Sequence, residues 1–264
     1  MTLVSGKVLV TGATGGLGQA IARAFAARGA QLLLTGRRAD VLQPLAAELD
    51  ARALACDLGR RADVERLAAE SADVDVLVAN AALPASGLIT ELTQAEIDRM
   101  IEVNLSAPIA LAHALAPGML ERGRGHMVFV SSLSGKAAAP KSSMYSATKF
   151  GLRGFALGLR EDLRGGGVGV SLVLPGFIRD AGMFADTGVS LPPGAGTRTP
   201  ADVAGAVLRA VEQNRAEIMV APPGLKLGAS FAGVAPELAA RVSRLFGSDK
   251  IAAEMAAAQT GKRS

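Results

Sequence analysis

The chain has 264 residues, of which half are hydrophobic, and this is enough for one well-buried core. Its formal net charge is +4, but the basic residues are interspersed with acidic ones, and there is no Trp and one Tyr, so we expect no nucleic-acid partner. The single cysteine, Cys56, excludes an intramolecular disulfide, and no cluster of Cys and His predicts a metal site.

The N-terminal sequence MTLVSGKVLVTGATGG has neither a basic leader nor the small-residue cleavage site of a secretory signal. It reads instead as a first strand. No run approaches the roughly 18 uninterrupted apolar residues that a membrane-spanning helix needs. We therefore expect a cytoplasmic protein without a spanning segment.

Short apolar runs rich in Val, Leu and Ile alternate with longer amphipathic segments whose apolar residues recur every three or four positions. This alternation is typical of a parallel sheet with helices on both faces. We predict a single α/β domain, a Rossmann-like doubly wound parallel sheet of about seven strands. The predicted strands are residues 7–11, 31–35, 51–55, 74–79, 126–131, 168–174 and 217–221.

Two later segments lack this alternation. Residues 177–199 contain Gly and Pro clusters, which predict a long loop with at most one short helix and the role of a lid. Residues 222–264 predict a C-terminal extension with a turn, an exposed helix near 236–246 and a frayed tail. The dinucleotide-binding and catalytic domain is thus predicted to cover residues 1–221.

A glycine-rich turn follows the first strand directly. Because such a turn leaves backbone amides bare at the start of a helix, its position predicts a binding site for the pyrophosphate of a dinucleotide. The residues assigned to cofactor binding here are Gly12, Thr14, Gly16, Leu17 and Gly18.

The second strand is followed by Arg37 and Arg38, where an NAD-selective pocket usually has an acidic residue. A guanidinium at this place pairs with a 2′-phosphate, so we expect NADP(H) as cofactor in preference to NAD. Arg37 is the first choice and Arg38 the second. The alternative is that both are solvated side chains at a helix start.

Tyr145 and Lys149 are four residues apart in a predicted helix and share one of its faces. A phenol with a pKa near 10 is a poor base at neutral pH, whereas a neighbouring ammonium stabilises its phenolate. The spacing therefore predicts a proton-transfer pair in which Lys149 lowers the pKa of Tyr145.

The glycine pattern TGxxxGxG, with YxxxK downstream, resembles the short-chain dehydrogenase/reductase family from the first strand to about Val220. The resemblance implies that Ser132, thirteen positions before the tyrosine, orients a carbonyl. Ser131 is the competitor, but neighbouring side chains on a strand point to opposite faces, and the spacing favours Ser132. It also implies that Asn104, in the predicted long helix from about 93 to 120, positions a water beside Lys149.

The same resemblance implies further cofactor contacts. Asp57 would bind the adenine amino group with Leu58 lining its pocket, and Asn80 would touch the ribose, although Leu83 stands where the family usually has Gly. Tyr145 and Lys149 would contact the nicotinamide ribose. The loop that contacts the nicotinamide would begin at Pro175 and Gly176, with the Ile178 amide on the carboxamide.

One residue departs from the pattern. Asp180 stands where the family often has a Thr that bonds the cofactor. An acid there would repel the pyrophosphate or pair with Arg179. Asp180 is therefore given no cofactor role, and His113 and His126 are interpreted as structural.

These features predict an NADP(H)-dependent oxidoreductase acting on a ketone, an aldehyde or a secondary alcohol, with Tyr145 as general acid and base. The family commonly forms dimers or tetramers through the helices that include 93–120 and 143–165, so a homodimer or homotetramer is expected. Two alternatives remain. One is a redox sensor that binds NADP(H) without turnover, and the other is a membrane-surface reductase anchored by LGASFAGVAPELAARVSRLF.

Overall fold

The computed structural model describes residues 3–84, 86–191, 196–245 and 247–259. The predicted lid residues 192–195, residue 246 of the predicted exposed helix and the last five residues of the predicted frayed tail, 260–264, lie outside the described residues. The rest of that predicted tail is helical, at Ser248–Gln259.

Seven parallel strands form one sheet in the order β3-β2-β1-β4-β5-β6-β7. The predicted fold class is therefore confirmed, and each predicted strand has an observed counterpart. The strands are β1 Lys7–Thr11, β2 Gln31–Gly36, β3 Arg52–Ala55, β4 Val76–Ala79, β5 Gly125–Val130, β6 Val168–Pro175 and β7 Glu217–Val220.

Helices cover both faces of the sheet, so the central strands are buried on both sides. Alternate β1 residues face opposite layers, with Val8 and Val10 in one core cluster and Leu9 in the other. The first face carries α1 Gly16–Ala26, α2 Ala39–Glu48 and α7 Pro200–Gln213. The second carries α3 Arg61–Glu70, α4 Gln94–Ile101, α5 Ala107–Glu121 and α6 Ser143–Asp162.

The predicted long helix at 93–120 differs from the observed structure. A π-helical turn at Glu102–Ser106 separates α4 from α5. A π-turn inserts one extra residue per turn and often marks a functional position. Sequence periodicity did not show it because the apolar spacing on either side of the insertion still matches a helix.

The stretch Gln94–Glu121 has the length and composition of a helix that crosses a membrane, but 44% of its most apolar window is buried inside the protein. Buried core helices pass the same test, and this stretch packs against α3, α6 and the sheet.

The C-terminal extension is more helical than its sequence predicted. It forms α8 Pro223–Ala232, α9 Pro236–Leu245 and α10 Ser248–Gln259. Only α9 corresponds to the predicted exposed helix. α10 packs against the short helix Ala185–Thr187 of the lid, where Gln259 Nε2 donates to the carbonyl oxygen of Met183 at 3.3 Å.

Candidate active site

The candidate site lies at the carboxyl edge of the sheet, beside the point where the strand order reverses between β1 and β4. Because all strands are parallel, the residues that follow them emerge at the same edge, where open α/β sheets bind ligands. The glycine turn, Arg37, Asn80 and Ser132 follow four different strands there.

The turn between β1 and α1 requires glycine at two positions. Gly12 has φ of +66°, and a Cβ on it would lie 2.7 Å from the Cα of Ala81. A Cβ on Gly18 would collide with the carbonyl oxygen of Gly12. α1 begins at Gly16 after the N-cap Gly15, and no side chain caps it. The helix start is therefore bare backbone of the kind that binds phosphate.

Asn80 and Thr11 fasten this turn to the end of β4. Asn80 Nδ2 donates to the carbonyl oxygens of Thr11 and Gly12 at 3.0 and 3.3 Å. The Thr11 hydroxyl accepts from the amides of Asn80 and Ala81 at 3.0 and 3.1 Å. Asn80 thus holds the turn in shape, a contribution distinct from the ribose contact expected of it.

The two arginines after β2 have different surroundings. Arg38 Nη2 donates to the Thr14 carbonyl at 2.5 Å, which ties it to the glycine turn. Arg37 is exposed, and its charge helps to lower the pKa of Asp57. Arg38 therefore supports the turn, and the pairing of Arg37 with a 2′-phosphate stays a prediction.

Asp57 has a partner that the sequence did not indicate. Arg99 Nη2 donates to both carboxylate oxygens, at 2.9 and 3.0 Å, and the Gly59 amide donates to one of them at 3.0 Å. Burial raises the pKa of Asp57, but these donors outweigh it and hold the pKa below its usual value. Leu58 beside it is buried. Arg99 is 42 positions away in α4, so no local motif could have identified it.

Ser132 and Tyr145 meet at the centre of the site. The Ser132 hydroxyl lies close enough to the Tyr145 phenol to lower its pKa. Ser132 follows β5 and its Oγ accepts from the Ser134 amide at 3.1 Å, which fixes its rotamer. Ser131 points elsewhere, since its hydroxyl donates to the backbone carbonyl of Lys149 at 3.1 Å. Of the two candidates, Ser132 is therefore the one that contacts Tyr145.

The protonation of Tyr145 differs from the sequence-based expectation. Burial raises its pKa to about 12, against the smaller lowering by the Ser132 hydrogen bond. The Lys149 ammonium lies 5.6 Å from the centroid of the tyrosine ring and donates to the Val130 carbonyl at 3.2 Å. Desolvation thus outweighs the expected lowering, and the phenol is protonated at neutral pH.

Lys149 is a buried amine, only 1% exposed. Burial lowers its pKa to about 8, because desolvation disfavours the charged form. Its neighbour on the helix face, Tyr145, is one turn away, as the spacing predicted. The pair therefore places a titratable amine with a pKa close to neutrality beside a phenol that holds its proton.

Asn104 has a different local role from the one expected. It lies in the π-helical turn and is fully buried. Its side chain bonds to the Leu83 backbone: Oδ1 accepts from the amide at 2.7 Å, and Nδ2 donates to the carbonyl oxygen at 3.0 Å. Its side chain is therefore committed to the segment after β4. The water contact expected of Asn104 stays a prediction.

The lid begins where β6 ends. Pro175 closes the strand, and the Gly176 amide donates to the Val220 carbonyl at 3.0 Å. Ile178 is buried and forms an isolated β-bridge with Arg198. The bridge joins the two ends of the lid.

Asp180 pairs with Arg179 at 3.4 Å on the surface and adopts a φ of +70°. This is the second of the two outcomes expected for it. The chain reverses at Asp180 and places Ala181 against Gly16, so that a Cβ on Gly16 would collide with Ala181. Gly182 lies beside Leu17. The lid therefore rests on the phosphate-binding turn itself.

A family model described as short chain dehydrogenase matches residues 6–189, more than half of the chain. The chain belongs to the short-chain dehydrogenase family. The expected resemblance is confirmed, and the matched range contains the glycine turn, the Ser132 turn and the Tyr145 and Lys149 pair.

Similar proteins cover 65% to 94% of the chain. Ketoacyl reductase HetN of Nostoc sp. is 36% identical over 262 residues, covering 94% of this chain and 91% of that protein. NADP-dependent 3-hydroxy acid dehydrogenase YdfG of Salmonella typhi is 40% identical over 179 residues, covering 65% and 72%. A short-chain dehydrogenase from Sphingobium yanoikuyae, solved in complex with NADPH, superposes with a TM-score of 0.77 at 29% identity, covering 90% and 95%. The chain is therefore an oxidoreductase of this family.

Proposed function

We propose that this short-chain dehydrogenase is an NADPH-dependent ketone reductase in which Tyr145 donates a proton to the carbonyl oxygen. The observation that carries the proposal is the contact between Ser132 and Tyr145, with Lys149 buried beside them at the carboxyl edge of the sheet. Serine, phenol and amine come from β5 and α6, which fix their separation.

The residues of the glycine turn fit a dinucleotide. A Cβ at Gly12 would meet the Ala81 backbone and one at Gly18 the carbonyl oxygen of Gly12, so the two glycines allow the tight turn that places the start of α1. That start has no side-chain cap, and its amides and helix dipole favour a phosphate. Arg37 supports NADP(H), as do the names of two of the similar proteins above. NADPH, when bound, supplies the hydride that reduces the carbonyl carbon.

The chain's own residues handle the proton and the oxygen. Ser132 donates a hydrogen bond that orients the substrate carbonyl, and Tyr145 protonates the oxygen as negative charge develops on it. After this transfer the Lys149 ammonium passes a proton to the Tyr145 phenolate, and solvent returns a proton to the neutral amine. The Lys149 pKa of about 8 suits this exchange near neutrality. Asn104 keeps the segment around Leu83 in place.

Reduction is the direction that the protonation states favour. Tyr145, with a pKa of about 12, holds its proton at neutral pH and is ready to act as an acid. Alcohol oxidation would require the phenolate, which burial makes costly. We therefore propose that oxidation proceeds only at higher pH.

We further propose a 3-oxoacyl compound as the substrate class. Two of the similar proteins are named for ketoacyl reduction and for 3-hydroxy acids. The lid supports an apolar substrate, because Phe177 and Phe184 pack with their ring centroids 5.0 Å apart. A cytoplasmic location is part of the same proposal.

The experiment is NADPH oxidation against 3-oxoacyl thioesters, simple ketones and aldehydes, with NADH as the cofactor control. We expect turnover with NADPH and a 3-oxoacyl thioester, and weaker turnover with NADH. NADPH binding without turnover across the whole panel would favour the redox sensor over the reductase.

A further inference from the structure

The C-terminal helices α8 and α9 expose a continuous apolar surface. Three of its side chains are among the most exposed large hydrophobic residues of the described chain: Leu227 is 74% exposed, and Val234 and Leu245 are each 85% exposed. Isolated exposed apolar residues are common, but a contiguous set on adjacent elements marks an interaction site.

The spacing of these residues forms two stripes. Leu227, Phe231 and Val234 follow the i, i+4, i+7 pattern along α8 and the turn after it. Along α9 the same pattern is formed by Leu238, Val242 and Leu245. Residues at this spacing share one face of a helix. We call the six residues the C-terminal apolar face.

Neither stripe enters the buried core. α9 has no buried residue, and α8 buries only Ala229. The two helices pack against each other, and Phe231, Leu238 and Val242 keep 42–52% of their surface exposed. Apolar stripes that stay this exposed are unusual in a globular protein, because their exposure costs free energy.

Basic residues flank the apolar face. Lys226, Arg241, Arg244 and Lys250 stand on or next to these helices. The acidic residues of the same stretch, from 222 to 250, are Glu237 and Asp249. The stretch therefore has an excess of positive charge.

We propose that the C-terminal apolar face docks on the surface of an anionic phospholipid bilayer. Amphipathic helices with a basic polar face lie in the headgroup region, where apolar burial and attraction to anionic lipids act together. A second copy of the chain fits less well, because a two-fold contact through this face would bring its basic residues against each other.

The face lies beside the candidate active site. α8 begins directly after β7, and Pro222 packs against the lid residue Gly196, close enough that a Cβ on the glycine would lie 2.9 Å from its ring. At its other end Gly233 approaches the backbone of Lys136, which follows the Ser132 turn. Docking would hold the lid close to the membrane, where apolar substrates partition.

Co-sedimentation with lipid vesicles tests the proposal. The full-length protein should bind vesicles of mixed phosphatidylcholine and phosphatidylglycerol, and bind phosphatidylcholine alone more weakly. Leu238→Ser, Val242→Ser and Leu245→Ser combined should weaken partitioning by about tenfold or more, since three apolar contacts are lost. A control variant, Leu88→Ser and Ile89→Ser, removes two residues that are 45% and 50% exposed elsewhere on the protein and should bind as wild type.

Light scattering and activity in solution separate the outcomes. We expect the oligomeric state and the NADPH oxidation rate on a water-soluble ketone to be the same in wild type and both variants. Absence of vesicle binding by wild type would overturn the proposal, and so would equal binding by the α9 variant. Dissociation of a wild-type oligomer by that variant would assign the face to a second copy. None of these results bears on the reductase activity itself.

Discussion

Tyr145 is the only tyrosine in the chain, and tryptophan is absent, so its ionisation can be read directly from ultraviolet absorbance. Burial raises its pKa to about 12. At about pH 10, where a free phenol is half ionised, the folded protein should show almost no phenolate. Circular dichroism at the same pH verifies that the fold is intact. Half ionisation in a folded sample would show that the phenol is not desolvated as described.

The burial of His126 leads us to expect a loss of stability in mild acid. It is buried between β5 and β6, with Nε2 at 2.8 Å from the Ser171 hydroxyl. Burial, together with the nearby charge of Arg160, lowers its pKa from 6.5 to about 4. The unfolded chain thus binds the proton first, and the free energy of unfolding should fall as pH drops from about 6.5 to about 4, by up to about 3 kcal/mol.

Urea unfolding across this pH range measures the effect. His126→Asn should flatten the dependence on pH, while His113→Asn, which changes the exposed histidine of α5, should leave it unchanged. An unchanged slope in His126→Asn would assign the acid sensitivity to other groups.

Arg37 predicts the cofactor preference. Arg37→Ala should weaken NADPH binding by about tenfold to a hundredfold and leave NADH binding unchanged, since only the 2′-phosphate loses a charged partner. Arg38→Ala is the matched control, and it should weaken both cofactors because Arg38 supports the turn through the Thr14 carbonyl. Equal losses of NADPH and NADH binding in Arg37→Ala would contradict the assignment.

At the scale of elements, the glycine turn gives a prediction with an internal control. Gly12 and Gly29 both have positive φ, +66° and +75°, but a Cβ on Gly12 meets the backbone of Ala81 whereas one on Gly29 meets nothing within 4 Å. Gly29→Ala should cost about 1 kcal/mol of the free energy of unfolding, from backbone strain alone. Gly12→Ala should cost more and abolish NADPH binding.

Urea unfolding and NADPH titration of both variants measure these effects. Gly12→Ala behaving like Gly29→Ala in both assays would mean that the turn tolerates a side chain, and the pyrophosphate site would then have to lie elsewhere.

The element scale also shows where sequence patterns stop being informative. The glycine turn and the pair at Tyr145 and Lys149 were predictable because their chemistry depends on local spacing. The bond from Arg99 to Asp57 joins residues far apart in sequence. The hydrogen bonds of Asn104 to the Leu83 backbone depend on a π-helical turn, which leaves the apolar periodicity intact. α10 was missed because its alanine-rich sequence has little amphipathic pattern.

At the scale of the whole molecule, the fold was predictable because buried parallel strands need nearly continuous apolar runs and their crossovers need helices. The protonation states of the site residues could not be predicted from the sequence. Two opposing effects act on the pKa of Tyr145, and only the structure shows that desolvation exceeds the lowering by Ser132. The expected homodimer or homotetramer stays a prediction. Ile101, Leu120 and Phe150 are exposed large apolar residues on the helices expected to form it.

The most direct test of the central claim is steady-state NADPH oxidation with a 3-oxoacyl thioester by Tyr145→Phe, together with NADPH binding by the same variant. Phe keeps the ring and removes only the proton donor. The rate should fall by about a hundredfold to ten-thousandfold while NADPH affinity stays near that of wild type. Wild-type turnover by Tyr145→Phe, with NADPH bound, would contradict the assignment of Tyr145 as the acid.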